Sequence, residues 1–109
     1  MNANTVLYLS RKDVETLNLP MSDIIDALNN MFREKGEGRV EMTPKPGIHT
    51  RAEAFIHAMP AYIPSMNAAG VKWISGYPEN QKKKLPYING LLILNDPETG
   101  LPLAIMDAT

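Results

Sequence analysis

The sequence predicts an α+β domain, with two N-terminal helices followed by a mixed or antiparallel β-sheet. Three observations carry that expectation. Residues 22–35 repeat apolar side chains at helical spacing, and beyond Gly38 the texture changes to short apolar runs broken by proline and glycine. Near the C-terminal end, Asn95-Asp96-Pro97-Glu98-Thr99-Gly100 has the make-up of a tight turn between two such runs. With 109 residues, 44% of them hydrophobic, the chain has room for one core and is treated as a single domain over 1–109.

Taken in order, residues 5–9 form a short extended run. Ser10 with Asp13 makes a capping-box start, which predicts a short helix from Arg11 to Leu17. Pro20 interrupts the chain, and Ser22 is expected to cap a longer helix whose Ile24, Ile25, Leu28, Met31 and Phe32 share one face. Asp23 in its first turn and Arg33 and Lys35 in its last suit the helix dipole, and Gly36 is expected to end it as a left-handed cap. Strands are then expected at Val40–Met42, at Phe55–Met59 ending at Pro60, at Val71–Tyr77, at Leu91–Leu94 and at Leu101–Met106. Between the first two, Pro44 and Pro46 exclude helix interior. The continuous run Leu91–Leu94 reads as a strand covered on both faces, and the last two strands as an antiparallel hairpin.

Composition excludes several function classes. Eleven Lys plus Arg against twelve Asp plus Glu give a net charge of -1, which offers no electrostatic reason for a nucleic-acid or acidic-membrane partner. Zero cysteines remove disulfides, thiolate metal sites and cysteine nucleophiles. No apolar run approaches the roughly 20 residues of a membrane span, and the N-terminus lacks the order of a signal peptide, so the expectation is a cytoplasmic domain. The glycines are too dispersed for a GxGxxG turn, and no P-loop, HExxH or GxSxG occurs. A Rossmann domain is therefore absent from this chain.

Few residues are placed to carry chemistry. Lys72 lies between Val71 and Trp73 in an apolar strand. It is either an amphipathic lysine reaching water from the sheet or a desolvated amine able to bind a carboxylate or move a proton. Lys45 sits in Pro44-Lys45-Pro46-Gly47, where the prolines reduce the entropy lost on gripping an anion. His57 alternates with Ile56 and Ala58 and faces either a pocket or a structural hydrogen bond. His49 and His57 lack a third ligand, so no metal is expected. The turn Gly76-Tyr77-Pro78-Glu79-Asn80 is expected to bring Asn80 near Lys72, while Lys82-Lys83-Lys84 reads as a solvated run.

Ala58-Met59-Pro60-Ala61, Gly70-Val71-Lys72-Trp73, Tyr77-Pro78-Glu79-Asn80, Leu85-Pro86 and the block from Leu92 to Thr109 together resemble the ornithine cyclodeaminase/μ-crystallin family. Leu9-Ser10-Arg11-Lys12-Asp13-Val14, the helix at 22–35 and Gly38-Arg39-Val40 match as well, so the resemblance covers essentially the whole chain in order. It implies that residues 1–109 are the N-terminal part of a substrate-binding and dimerisation lobe, with an NAD(P)-binding domain expected downstream. It implies an amino- or imino-acid oxidoreductase or deaminase using NAD or NADP, a small amino or imino acid as substrate, and a homodimer. The alternative within the resemblance is a non-catalytic, μ-crystallin-like ligand-binding or dimerisation protein. By itself the chain is expected to bind no cofactor and to be inactive.

Residue by residue, Lys72 matches the family's active-site lysine and Lys45 a basic position that contacts the substrate carboxylate. His57 matches a position, just before the Met59-Pro60 pair, that varies with substrate. A histidine there departs from the acidic group that some cyclodeaminases carry, which argues against ornithine cyclisation. Met59 is placed with the substrate, and Asn80 belongs to a Pro-x-Asn signature expected to shape the pocket wall.

Overall fold

The computed structural model describes residues 5–109. In chain order the elements are β1 (Leu7–Leu9), α1 (Arg11–Thr16), α2 (Met21–Gly36), β2 (Gly47–Ile48), β3 (Phe55–Ile63), β4 (Ala68–Gly76), β5 (Ile88–Asn95) and β6 (Pro102–Asp107). Short 3₁₀ turns at Pro64–Met66 and Pro78–Lys83 follow β3 and β4. The six strands form one sheet in the order β1-β6-β5-β4-β3-β2. Only β1 and β6 run parallel; every other pairing is antiparallel. The architecture is α+β with a mixed sheet.

Helix α1 forms where the capping residues set it. Ser10 Oγ accepts from the Asp13 amide at 3.1 Å, and the Asp13 carboxylate accepts from the Ser10 amide at 2.9 Å. Hydrogen bonding to that carboxylate, from the Ser10 amide first and the Ser10 hydroxyl second, holds the Asp13 carboxyl below its ordinary range. Helix α2 starts earlier than the sequence predicts. Pro20, extended at φ -62° and ψ 142°, takes the cap position without a side-chain bond, and Ser22 lies inside the first turn. The Pro20 carbonyl accepts from the Asp23 and Ile24 amides, so the ladder begins two residues before Ser22 could cap it. At the other end, Gly36 is still helical and Gly38 is the left-handed residue, at φ 74°. An ion pair between the buried Glu34 and the half-exposed Arg39 closes this end. Glu34 receives Arg39 Nε at 2.5 Å and Nη2 at 3.0 Å, while the Arg39 amide donates to the Glu34 carbonyl at 2.9 Å.

Three strand expectations change. The strand expected at Val40–Met42 is reduced to one bridge, Glu41 to Tyr62. Strand β3 runs through Pro60 to Ile63 instead of stopping there. Amides on β3 that point away from β4 bond outward at Ala58 (to Pro46) and Tyr62 (to Glu41). By alternation the missing N–H of Pro60 falls between those two bonds, where no ladder bond is required. Third, β5 is not covered on both faces. Leu91 is 39% exposed, and the buried apolar side chains among the described residues are only Ala54 and Ala104. Helix α2 touches the sheet sparsely and leaves Ile25, Leu28 and Phe32 exposed, so its apolar stripe is real but unpartnered.

The hairpin between β5 and β6 follows the sequence closely. Asp96 Oδ1 accepts from the Glu98 amide at 2.8 Å, the Gly100 amide donates to the Asp96 carbonyl at 2.8 Å, and Gly100 supplies the positive φ of 76°. Among the described residues no helix is long and apolar enough to cross a membrane.

Candidate substrate-binding face

The registers of β2 to β6 decide which side chains meet. Met59 pairs with Lys72, Lys72 with Leu92, and Leu92 with Met106. Cross-strand partners project from the same face of a sheet, so these four form one row. On the outer side, Gly47 pairs with His57, and the Ala58 amide donates to the Pro46 carbonyl at 3.0 Å. Lys45, the residue before Pro46, therefore lies on the segment that runs along the outer edge of β3.

The segment holding Lys45 is anchored on either side. Pro46 is bonded to Ala58, and Glu41 is bridged to Tyr62 by amide bonds of 2.8 and 2.9 Å. Between those anchors the segment carries one residue more than β3 does, and Pro44-Lys45 lies in that slack. Lys45 is exposed and Lys72 half-buried. Neither ammonium has a hydrogen bond or ion pair among the described residues, so both remain available to an anion.

Beside the row, towards the Pro64 end of the strands, lies a trough of about 200 Å³. Met59, Ala61, Ala68, Gly70, Lys72 and Leu94 line it, with Lys72 at one end. Small residues make this depression. At Gly70 a Cβ would fall 2.2 Å from the Ile93 carbonyl oxygen, so glycine is required for β4 to lie this close to β5.

On the other side of the row stands His57, paired with Ile74 across β4 and lying on the same face as Lys72. Its ring stacks on Phe55 with centroids 4.3 Å apart and planes 25° off parallel. Both rings rest on glycines. A Cβ at Gly47 would meet His57 Cδ2 at 2.2 Å, and one at Gly76 would meet Phe55 Cε1 at 2.3 Å. The sequence shows His57 and Phe55 two apart on one strand face. The two glycines beneath them depend on register and cannot be read from spacing.

Asn80 is not brought to Lys72. It follows the end of β4, and Lys72 lies four residues before that end, ~13 Å along the strand. Asn80 Nδ2 donates to the Pro86 carbonyl at 3.0 Å, and the Leu85 amide donates to the Asn80 carbonyl, which closes the 78–86 loop on itself. With Thr50, Arg51, Tyr77 and Lys83 it lines a separate concavity at the strand ends, where Thr50 Oγ1 and the Tyr77 hydroxyl are hydrogen-bonded. Register therefore sets His57, Met59 and Lys72 on one face, with Lys45 on the adjoining edge segment and Asn80 in the loop after β4.

No three His, Cys, Asp or Glu side chains group as a metal site among the described residues. The described strands contain no βαβ unit with a glycine-rich turn feeding a helix, and the central strands are all antiparallel. The face thus holds an unpaired lysine, Lys72, beside an apolar trough.

That geometry agrees with what the chain is similar to. Residues 4–109 match the ornithine cyclodeaminase/mu-crystallin family, and the chain belongs to that family. A nodulation efficiency protein, NfeD, of Rhizobium meliloti is 50% identical over 103 residues, which are 94% of this chain and 32% of that protein. Alanine dehydrogenase of Archaeoglobus fulgidus is 41% identical over 103 residues, 94% of this chain and 31% of that enzyme. Among solved structures, the Thermococcus litoralis Δ1-pyrroline-2-carboxylate reductase in complex with NADH and L-proline superposes with a TM-score of 0.90 at 39% identity, over 95% of this chain and 32% of that one. An archaeal alanine dehydrogenase dimer with bound NAD gives 0.88 at 40%, over 95% and 31%. The chain spans about a third of the length of these relatives.

Proposed function

We propose that the whole protein is an NAD(P)-dependent oxidoreductase or deaminase of a small amino or imino acid, and that residues 1–109 supply its substrate-binding wall. The observation that supports this reading is Lys72, unpaired on one sheet face beside Met59 and the apolar trough, with the unpaired Lys45 on the edge segment next to β3. Lys45, pre-set by Pro44 and Pro46, grips the substrate carboxylate. Lys72 lies at the edge of the apolar trough, where water is scarcer and its charge acts more strongly on a carbonyl or imine at the reacting carbon. There it stabilises developing negative charge and exchanges a proton with the substrate nitrogen or oxygen. Met59, beside Lys72, supports the substrate's apolar part. Asn80 contributes by fixing the loop after β4.

The dinucleotide, NAD or NADP, is assigned to sequence outside these residues, because the described strands contain no βαβ unit with a glycine-rich turn. Assembly as a homodimer is part of the proposal, supported by the exposed stripe Ile25, Leu28 and Phe32 on α2. A cytoplasmic location is proposed with it.

The test is NAD(P)H oxidation by the full-length protein with pyruvate plus ammonia and with cyclic imino acids. Turnover that disappears in Lys72→Ala supports the reading. Tight binding of a small acid without turnover would instead support a non-catalytic, μ-crystallin-like binding protein, and neither turnover nor binding would leave only a dimerisation module.

A further inference from the structure

Building on that reading, we infer that the site is selective for an acid carrying a second carboxylate, with His57 as the residue that receives it. The sheet positions of this face, followed through the cross-strand pairs, hold Lys72 and His57 and not a single aspartate or glutamate among the described residues, and Lys45 lies on the adjoining edge segment. Glu41 and Asp107 pair with Tyr62 and Leu91, which project from the opposite face, while Glu53 and Glu79 line the separate concavity at the strand ends, where Glu79 is paired with Lys82 at 2.6 Å. A substrate with a distal ammonium group would find no counter-charge on the face and would be repelled by both lysines. A substrate with a second carboxylate would meet a third donor.

His57 is built to be that donor. It lies diagonally across from Lys72 on the same face, ~7–8 Å away by the spacing of such pairs. Its ring is laid over Gly47 and locked by the stack on Phe55, so its direction is fixed before any ligand arrives. Its Nε2 sits over Gly47, two residues from Lys45, and neither ring nitrogen has a hydrogen-bond partner among the described residues. The trough on the opposite side of the row is lined by aliphatic side chains and glycine, apart from Lys72 at its end, and so cannot satisfy a second carboxylate. With one carboxylate on Lys45 and the reacting carbon near Lys72, the second carboxylate has one place to go.

The experiment measures calorimetric binding of succinate, butyrate and L-ornithine to the full-length protein, with His57→Phe and His57→Gln alongside. Phenylalanine keeps the stack on Phe55 and the fit over Gly47 but removes the N–H; glutamine restores a donor at similar reach. We expect succinate to bind at least tenfold more tightly than butyrate, and ornithine most weakly. The preference should collapse to near unity in His57→Phe and return in part in His57→Gln, with butyrate affinity unchanged in both. Equal binding of succinate and butyrate, or a preference that survives His57→Phe, overturns the inference while leaving the Lys45–Lys72 reading intact. Absence of binding by every acid overturns both.

Discussion

Two regions along the β3–β4 pair differ in what holds them and in what they leave free. At mid-strand, Met59 and Lys72 are placed by backbone register and Lys45 by the adjoining edge segment, and both ammonium groups remain unpaired. At the strand ends, the loops of residues 49–54 and 77–86 spend their polar groups on one another. Thr50 bonds Tyr77, His49 Nδ1 lies 2.9 Å from the Ala54 carbonyl, and Asn80 bonds Pro86. Polar groups satisfied within the chain contribute to folding, whereas cations left unsatisfied on an ordered face are available for a ligand. On this contrast the proposed function is assigned to the first region and the loop architecture to the second.

The largest effect should break the first region. Lys72→Ala is expected to lower kcat of the full-length protein by ~10²–10⁴-fold, the range for losing a group that transfers a proton in the transition state. Unfolding monitored by circular dichroism should show its stability little changed. Lys45→Ala should act on KM more than on kcat, raising it roughly 10- to 100-fold, as expected for loss of a charge-assisted bond of ~1.5–3 kcal/mol. An equal loss in kcat would mean that Lys45 takes part in the chemistry and not only in holding the acid.

Gly70→Ala sharpens the same comparison from below, because it forces a Cβ against the Ile93 carbonyl beneath the trough. We expect ~1–3 kcal/mol of destabilisation in urea unfolding, the usual cost of overpacking, together with weaker acid binding as β4 and β5 separate. Asn80→Ala should behave oppositely. It removes one amide bond to Pro86, costing ~0.5–1.5 kcal/mol of stability, and leaves KM within about twofold. A large rise in KM would return Asn80 to the ligand and erase the distinction between the regions.

The smallest effect lies outside both. Hydrogen bonding from Arg39 holds the Glu34 carboxyl below its ordinary value of 4.5. A carboxylate whose folded value is depressed stabilises the fold fully above its unfolded value and loses that contribution as pH falls through the folded one. Glu34→Gln should therefore flatten the fall in urea midpoint between about pH 5 and pH 3, with no change in acid binding at pH 7.

The parts legible in the sequence were those written in neighbouring residues. The Ser10–Asp13 capping box, the Asn95–Gly100 turn and the apolar stripe of α2 all depend on spacings of two to eight residues, and all three are observed. Lys45 and Lys72 were also identifiable as cations held in unusual settings. The errors share one cause. Placing Asn80 beside Lys72, stopping β3 at Pro60 and covering β5 on both faces each required knowing which strand lies next to which.

The local code thus determined the class of fold, the helices' polarity, the hairpin and the candidate cations, since capping, turn formation and side-chain periodicity act within a few bonds of backbone. Register decided the rest. That Met59 and Lys72, thirteen residues apart, share one row with Leu92 and Met106 is fixed by hydrogen bonds between strands. So are the glycines under His57 and Phe55, and the exposure of the α2 stripe depends likewise on how the packed elements lie. A slip of one residue would turn every one of these side chains to the opposite face, and only the assembled sheet excludes that slip.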